Sequence, residues 1–459
     1  MSSFENNMSE GSIFKKLVLF AIPFLISNFV QSLYSVSDMI IVGHLAGPES
    51  MSGVNIGGQI TLILTNVTIG FCMGATVLIG QYIGAGNHEK LKKVTATIFT
   101  LLLTIAIILT TVMLIFKDAV LHLINTPIES YAESDSYLTV TVLGLIFIFG
   151  YNALSAILRG MGDSKSPLIF VSIACGLNVV LNFVFIGGFG LGAFGSALAT
   201  VISQALSMIL CIIYMVRKNF YFDFKPSSFR IDKEQMKLIF KIGFPAAIQN
   251  GIVSISFLFL TAIVNTVGGM SASAAVGAVG RFNGFAFMPI MAISMSISTV
   301  SAQNIGAGKL DRAAKACRIG TIFSVCVSYL FFILVQLFPG KVLALFANDA
   351  QVIANGIAYL RTISFDFLII PFVFCINGLL LGGGHTTFTL FNSILSAVVL
   401  RVPVCYIFGV VMNWGIKGVG IGVPAASIGA LAIIIWFVAS GRWKRNATGI
   451  SAVPVETGM

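Results

Sequence analysis

Long uncharged stretches separated by short polar segments make up most of the chain. Residues 94–116 and 136–158 carry no charge, and residues 166–216 are uncharged for 51 positions, with a glycine-rich turn at 187–192. A helix of about 20 apolar residues crosses the hydrocarbon core of a bilayer. Residues 242–308 hold one charge and contain the pair Gly268 and Gly269. With further stretches near 17–42, 53–82, 319–340, 352–381, 387–411 and 418–441, the pattern predicts twelve transmembrane helices.

The composition agrees with this pattern. Hydrophobic residues make up 57% of the 459 residues, charged residues 10%, and the mean hydropathy is +0.97. Soluble domains carry about 25% charged residues, so a soluble protein and a disordered chain are both excluded. The net charge of +10 is spread along the chain, which gives no sign of a nucleic-acid partner. Neither the seven Cys nor the four His residues show metal-ligand spacing, so we expect no metal and no cofactor.

The distribution of Lys and Arg predicts the orientation of the helices. With twelve spans, 21 of the 27 basic residues fall in segments on one side of the membrane and three on the other. Cytoplasmic loops of membrane proteins carry the excess of Lys and Arg. We therefore expect a multi-pass protein of the cell (inner or plasma) membrane with both termini in the cytoplasm.

The two halves of the sequence resemble each other at a fixed offset. The run Gln-Tyr-Ile-Gly-Ala-Gly at 81–86 recurs as Gln-Asn-Ile-Gly-Ala-Gly at 303–308, 222 positions later, and Pro23 and Pro245 share that offset. Six spans per half is an even number, so the halves are parallel repeats. The predicted fold is all-α, with two six-helix lobes around a central cavity. The predicted division is a lobe at 1–216, a cytoplasmic linker at 217–241, a lobe at 242–442 and a cytoplasmic tail at 443–459.

A polar stripe runs along the first predicted helix. Asp38 is an acid well inside a span, where a charge costs about 2.5–3.5 kcal/mol. At 100° per residue, Asn28, Gln31, Ser35 and Asp38 share one face and Tyr34 borders it. The stripe predicts a hydrated cavity whose acid could take a proton from outside and release it inside. The alternative is a structural acid held by hydrogen bonds. Pro23 removes a backbone hydrogen bond from the same helix and permits bending.

These features resemble the multidrug and toxic compound extrusion (MATE) family over most of the chain, from about residue 15 to residue 442. The resemblance is carried by Pro23 with the segment 34–43, the two Gln-x-Ile-Gly-Ala-Gly runs, Leu-Arg-Gly-Met-Gly-Asp at 158–163, Gly-Arg-Phe at 280–282 and Leu-Gly-Gly-Gly at 381–384. It implies export of drugs coupled to entry of H⁺ or Na⁺. Asp38 matches the first-helix aspartate of the family.

The resemblance also implies a polar cluster around that aspartate. Asn152, Asn178, Asn182 and Thr200 lie in the same predicted lobe, with Asn178 and Asn182 one turn apart. One branch of the family has an aspartate in place of Asn182, so this chain keeps one carboxylate rather than two. We interpret Asp38, Asn178, Asn182 and Thr200 as the cation-coupling group, and Asn152 with Asn28, Gln31, Tyr34 and Ser35 as cavity residues. The alternative is that the Asn side chains only bridge helices.

A second group of charges is predicted in the other lobe. Arg281, Asp366 and Arg401 fall inside spans at similar estimated depths. Two interpretations stay open: a paired ion cluster, or a second cation or substrate site.

The sequence therefore predicts a secondary active antiporter rather than an enzyme. It would export organic, cationic or amphipathic compounds by rocking of two lobes, with H⁺ favoured over Na⁺ as the coupling ion. Its partners would be small-molecule substrates, the coupling cation and the lipid bilayer, and we expect a monomer. The alternative is a flippase for lipid-linked or polyanionic substrates, since the membrane arginines could hold an anionic head group. A membrane enzyme would need clustered acids or His at one interface, and the duplication disfavours a channel.

Overall fold

The structure is a computed structural model that describes residues 7–218, 220–222, 224–225 and 228–450. Every regular element in that part of the chain is helical. Three stretches of the predicted division lie outside the described residues: 1–6 of the first lobe, positions 219, 223, 226 and 227 of the linker, and 451–459 of the tail.

The first half of the sequence forms six spans from seven helices. They are α1 (Ile13–Leu45), α2 (Gly47–Gly84), α3 (His88–Leu123), α4 (Ile128–Leu143), α5 (Leu145–Gly160), α6 (Lys165–Asn182) and α7 (Gly192–Arg217). Helices α4 and α5 form one span bent by 49°. Helix α6 continues as a π-helical segment, Phe183–Gly188.

The second half repeats this arrangement with more interruptions. Helix α8 (Lys233–Gly306) is followed by α9 (Leu310–Leu337), α10 (Pro339–Ala344), α11 (Ala350–Ile363), α12 (Ile370–Gly382), α13 (Thr386–Ile394), α14 (Val402–Tyr406) and α15 (Gly415–Ala439). A 3₁₀ turn, Ser364–Leu368, joins α11 to α12, and this span bends by 44°. The span built on α13 and α14 contains two π-helical segments, Leu395–Arg401 and Ile407–Val411.

The described helices give the predicted number of spans. Nine of them are long and apolar enough to cross a membrane, and counting each bent pair as one span gives eleven. Helix α8 is two helices joined at Gly269, where φ is 61° and ψ is −150°. Only glycine adopts this conformation readily, so the break predicted at Gly268 and Gly269 falls at the second of them. The total is twelve, which confirms the predicted fold.

The repeated Gln-x-Ile-Gly-Ala-Gly run ends a span in both halves. Gly86 and Gly308 have φ values of 70° and 74°. The amide of Asn87 donates to Tyr82 O at 3.0 Å, and that of Lys309 donates to Asn304 O at 2.8 Å. A left-handed glycine after the last turn satisfies carbonyls that the helix leaves free. The motif is therefore a helix stop.

The chain folds into two compact units. Each unit is formed mainly by one half of the sequence but also includes the beginning of the first helix of the other half. One unit is formed mainly by Ile22–Ile83 and Asn87–Ala247, and the other by Met8–Ala21, Gly84–Gly86 and Ile248–Met459. In the second unit, Ser296 Oγ donates to Leu17 O at 2.9 Å and Met8 N donates to Gln303 Oε1 at 2.8 Å.

The first unit contains the matching contacts. A Cβ at Gly74 would lie 3.2 Å from Ile239 O. At the offset of 222, Gly74 corresponds to Ser296 and Ile239 corresponds to Leu17. Tyr82 Oη donates to Gln235 Oε1 at 2.8 Å. We call this paired arrangement the helix-start exchange.

The predicted linker, residues 217–241, packs on the first unit through its aromatic side chains. Phe222 is 1% exposed, and its ring lies 5.0 Å from that of Phe224 and 5.5 Å from that of Phe229. Both of these rings also contact Phe99 of α3. The described phenylalanines therefore form an aromatic cluster inside the unit.

Candidate functional site

A single buried carboxylate lies at the meeting point of α1, α6 and α7. Asp38 of α1 is 6% exposed. Asn182 Nδ2, at the end of α6, donates to Asp38 Oδ1 at 2.7 Å. Ser196 Oγ, in the first turns of α7, lies 3.0 Å from Oδ1 and 3.1 Å from Oδ2. Neutral donors thus hold the carboxylate from two neighbouring helices.

A second layer of polar side chains lies one helical turn away. Asn182 Nδ2 also donates to Asn178 Oδ1 at 3.0 Å. Asn178 Nδ2 donates to Tyr34 Oη at 3.2 Å and to Thr200 Oγ1 at 3.4 Å, and Tyr34 Oη donates to Thr200 Oγ1 at 2.7 Å. The six residues Tyr34, Asp38, Asn178, Asn182, Ser196 and Thr200 form one network, which we call the Asp38 network.

The local sequence explains why these side chains meet. Residues four apart on a helix lie on one face, so Tyr34 and Asp38 of α1 meet Asn178 and Asn182 of α6. Asn178 and Asn182 are fully buried, and buried polar groups require hydrogen-bond partners. One acceptor of the network, Asn182 Oδ1, has no partner among the described residues. It is a free oxygen beside the carboxylate.

The structure adds two residues, Tyr34 and Ser196, to the predicted coupling group. All four residues predicted for it, Asp38, Asn178, Asn182 and Thr200, belong to the Asp38 network, and Tyr34 joins them there. Ser196 was not predicted, although it lies four positions before Thr200 on the same face of α7. That spacing was the available signal.

The remaining predicted cavity residues divide between two places. Gln31 and Asn152 line a small cavity together with Phe24, Ser27, Tyr151, Ser155, Arg159, Ser164 and Pro167. Asn152 Nδ2 also donates to Ile148 O within its own helix, at 2.8 Å. Among the described residues, Asn28 and Ser35 join neither this cavity nor the Asp38 network. Ser35 Oγ donates to Gln31 O along α1.

Pro23 lies inside α1. Ser27 Oγ donates to Pro23 O at 2.9 Å, and this bond uses a carbonyl one turn before the serine. The helix runs unbroken through Pro23, from Ile13 to Leu45.

Of the two interpretations left open for the charges of the second half, the paired ion cluster is not formed among the described residues. Asp366 is 3% exposed, in the 3₁₀ turn between α11 and α12, and its carboxylate contacts the Ser427 hydroxyl. The guanidinium of Arg401 stacks on the ring of Phe257 at 5.1 Å, and its Nε and Nη1 atoms have no partner among the described residues. Arg281 is exposed.

The salt bridges in the described part of the chain are Lys90–Glu234, Lys93–Glu89 and Lys117–Asp135. Asp366 and Arg401 therefore attract each other without direct contact. The pairing interpretation assumed that both residues lie on regular α-helices. The 3₁₀ turn at Asp366 and the π-helical segment ending at Arg401 change the rotation and rise of each residue.

Comparison with known proteins identifies the class. The MatE family model matches residues 23–184 and 245–407, so the chain belongs to this family of multidrug transporters. The two matched copies start 222 positions apart, which is the offset of the internal repeat. The chain is a multi-pass membrane transporter rather than a catalytic enzyme.

The chain is similar to several named relatives over nearly its whole length. It is 30% identical over 445 residues to the probable multidrug resistance protein YoeA of Bacillus subtilis, covering 95% of this chain and 96% of the relative. It is 28% identical over 438 residues to the probable multidrug resistance protein NorM of Thermotoga maritima, covering 94% of each. It is 25% identical over 414 residues to the multidrug export protein MepA of Staphylococcus aureus, covering 89% of this chain and 90% of the relative.

Solved structures agree with this assignment. An outward-facing multidrug resistance MATE family transporter of the MOP superfamily superposes with a TM-score of 0.89 at 25% identity, covering 97% of this chain and 99% of that one. A MOP superfamily transporter from Pyrococcus furiosus gives a TM-score of 0.88 at 26% identity, covering 98% and 99%.

Proposed function

We propose that this protein exports organic, cationic or amphipathic compounds by antiport, with H⁺ as the coupling ion bound at Asp38. The observation that carries the proposal is the Asp38 network. A buried carboxylate held by an amide and a hydroxyl can accept or release one proton, and both hydrogen bonds are stronger when it is charged. It has no basic partner among the described residues that would fix it in the charged form.

The chemistry of the network favours H⁺ over Na⁺. Hard cations bind several oxygen ligands, usually including carboxylates. The two side chains that contact Asp38 are donors, Asn182 Nδ2 and Ser196 Oγ. A Na⁺ ion would have to displace them, whereas a proton needs only the carboxylate. Asn182 Oδ1, which has no partner among the described residues, can accept that proton's hydrogen bond once the amide rotates.

In the cycle we propose, both termini lie in the cytoplasm and the two six-helix halves rock against each other. Protonation of Asp38 from outside removes the charge that holds the donors of α6 and α7. The changed contacts favour the state that releases the exported compound, and loss of the proton to the cytoplasm resets the carrier. Pro23 provides a weak point in α1 below the network.

Ethidium efflux from proteoliposomes tests this proposal. Vesicles that contain wild type or Asp38→Asn are given either an inward H⁺ gradient without Na⁺, or an inward Na⁺ gradient with the same pH on both sides. We expect efflux under the pH gradient alone, and its loss in Asp38→Asn. Asp366→Asn is the matched control, because it removes a buried acid outside the network.

Each other outcome has a clear meaning. Efflux that follows only the Na⁺ gradient would refute H⁺ coupling. Normal efflux by Asp38→Asn would refute the role of Asp38. No efflux under either gradient would favour the flippase alternative.

A further inference from the structure

A small cavity in the first unit contains a positive charge and no negative one. The residues named above line it from α1, from α5, from the turn before α6 and, at Pro167, from the first turn of α6. Its volume is about 20 Å³. None of its lining residues is an acid, and one, Arg159, is a base. This cavity is separate from the Asp38 network, because the two share no residue.

The guanidinium of Arg159 has no carboxylate partner in the described part of the chain. It is partly buried and takes part in none of the salt bridges found there. The nearest acid along the chain is Asp163, whose oxygens accept bonds from Lys165 N, Ser166 N and Ser166 Oγ at 2.6–3.0 Å. That carboxylate therefore caps the start of α6 instead.

The guanidinium of Arg159 lies over an aromatic ring. Arg159 Cζ lies 5.8 Å from the centroid of the Phe24 ring. A cation stacked on a ring in this way keeps its N–H groups, which point outward in the guanidinium plane, available for an anion. Ser155 Oγ, which also lines the cavity, is buried and contacts the Tyr151 hydroxyl, which itself donates to Pro167 O at 3.0 Å. The amide of Gln31 adds a further donor to the same space.

We propose that this cavity binds a small anionic group, either a free monovalent anion or the carboxylate of an exported compound, with Arg159 as its main ligand. A partly desolvated charge is costly without a counter-charge, and the lining offers donors from a guanidinium, a hydroxyl and an amide. A carboxylate or halide satisfies all three. Only the second source, the carboxylate of an exported compound, rests on the proposed export function.

Thermal unfolding of the purified protein in detergent tests the free-anion source. Potassium isethionate is replaced stepwise by potassium chloride or potassium acetate at constant ionic strength, without Na⁺. At an anion concentration well above the dissociation constant, we expect the unfolding midpoint of wild type to rise by about 2 °C or more. Arg159→Gln should lose this rise. Arg442→Gln should keep it, because Arg442 also stacks on a ring, that of Trp436 at 5.5 Å, away from the cavity.

Inhibition of ethidium efflux tests the substrate-carboxylate source. Rhodamine B carries a free carboxylate and its ethyl ester does not. We expect wild type to be inhibited about tenfold more strongly by the acid than by the ester, and Arg159→Gln to lose that difference, since a charged hydrogen-bonded pair is worth about a factor of ten or more. Ser155→Ala keeps the charge of Arg159, so it should lose a smaller part of the thermal shift or of the difference in inhibition than Arg159→Gln does.

The two assays together decide the proposal. A response that depends on Arg159 in either assay supports it and identifies the source of the anion. Equal responses in wild type and Arg159→Gln, or no response in both assays, would overturn it. If Arg159→Gln does not fold, Ser155→Ala and Arg159→Lys serve instead, because Lys keeps the charge but loses the planar fork. Anion binding in detergent does not require transport, so failure of the export function would be seen separately as a loss of ethidium efflux.

Discussion

Removing the Ser196 hydroxyl should shift the pH dependence of transport without abolishing it. The hydroxyl has one proton to share between Asp38 Oδ1 and Oδ2, at 3.0 and 3.1 Å. A hydrogen bond to a charged group is worth about 1.5–3 kcal/mol, and one between neutral groups about 0.5–1.5 kcal/mol. Ser196→Ala therefore disfavours the ionised carboxylate by about 1–1.5 kcal/mol relative to the protonated one, which corresponds to about a factor of five to ten.

The direction of the pH shift follows from the same contacts. Since the ionised form loses more, a higher pH is needed to remove the proton, and the pH of half-maximal ethidium efflux should rise by about 0.7–1 unit. Efflux is measured at a series of internal pH values with a constant inward H⁺ gradient. Ser203→Ala is the matched control, because Ser203 is a buried serine on the same helix whose Oγ has no partner among the described residues. Coincident profiles for Ser196→Ala and wild type, or an equal shift in Ser203→Ala, would refute the reasoning.

Three further predictions concern the network, the packing and the surface. Asn182→Asp puts a second carboxylate in place of the amide that lies 2.7 Å from Asp38, so we expect Na⁺ to stimulate efflux by the variant and not by wild type; an unchanged ion dependence would contradict this. A Cβ at Gly382 would lie 2.7 Å from Ser298 O, whereas Gly176 has nothing within 4 Å. Gly382→Ala should therefore lower stability by about 1–3 kcal/mol in thermal unfolding, while Gly176→Ala should not lower it. Lys90→Met breaks a pair with Glu234 whose side chains are 39% and 63% exposed, and denaturant unfolding should show a loss below about 1 kcal/mol.

Sequence patterns predicted the spans because the membrane imposes a strong rule on them. Each span needs about 20 apolar residues, so the charged residues mark the ends. The break at Gly269 was predictable because a glycine pair interrupts an apolar stretch that is too long for one span. The offset of 222 located the matching helix stops at Gly86 and Gly308. Both successes rest on local chemistry that does not depend on distant contacts.

The charged residues of the second half show where this reasoning fails. Depth was estimated from position along a regular helix, but Asp366 lies in a 3₁₀ turn and Arg401 ends a π-helical segment. The sequence near these residues contains no glycine pair to announce either change. Ser196 was missed for a different reason. A serine in a helix is a common residue, and only its contact with Asp38 gives it significance.

The helix-start exchange has a consequence for how the protein is made and how it arose. Residues 8–21 leave the ribosome about 280 positions before the segment at 296–303 that contacts them. At about 5–20 residues per second, this is a delay of roughly 15–60 seconds. During that time the start of α1 lacks these contacts. The first unit likewise needs the start of α8, which lies in the second half of the sequence, so the first half does not form it alone. A single copy of the repeat would likewise leave the start of its first helix unpacked, and two copies that exchanged these helix starts would pack both of them. Joining two such copies in one chain would fix the exchange within a single molecule.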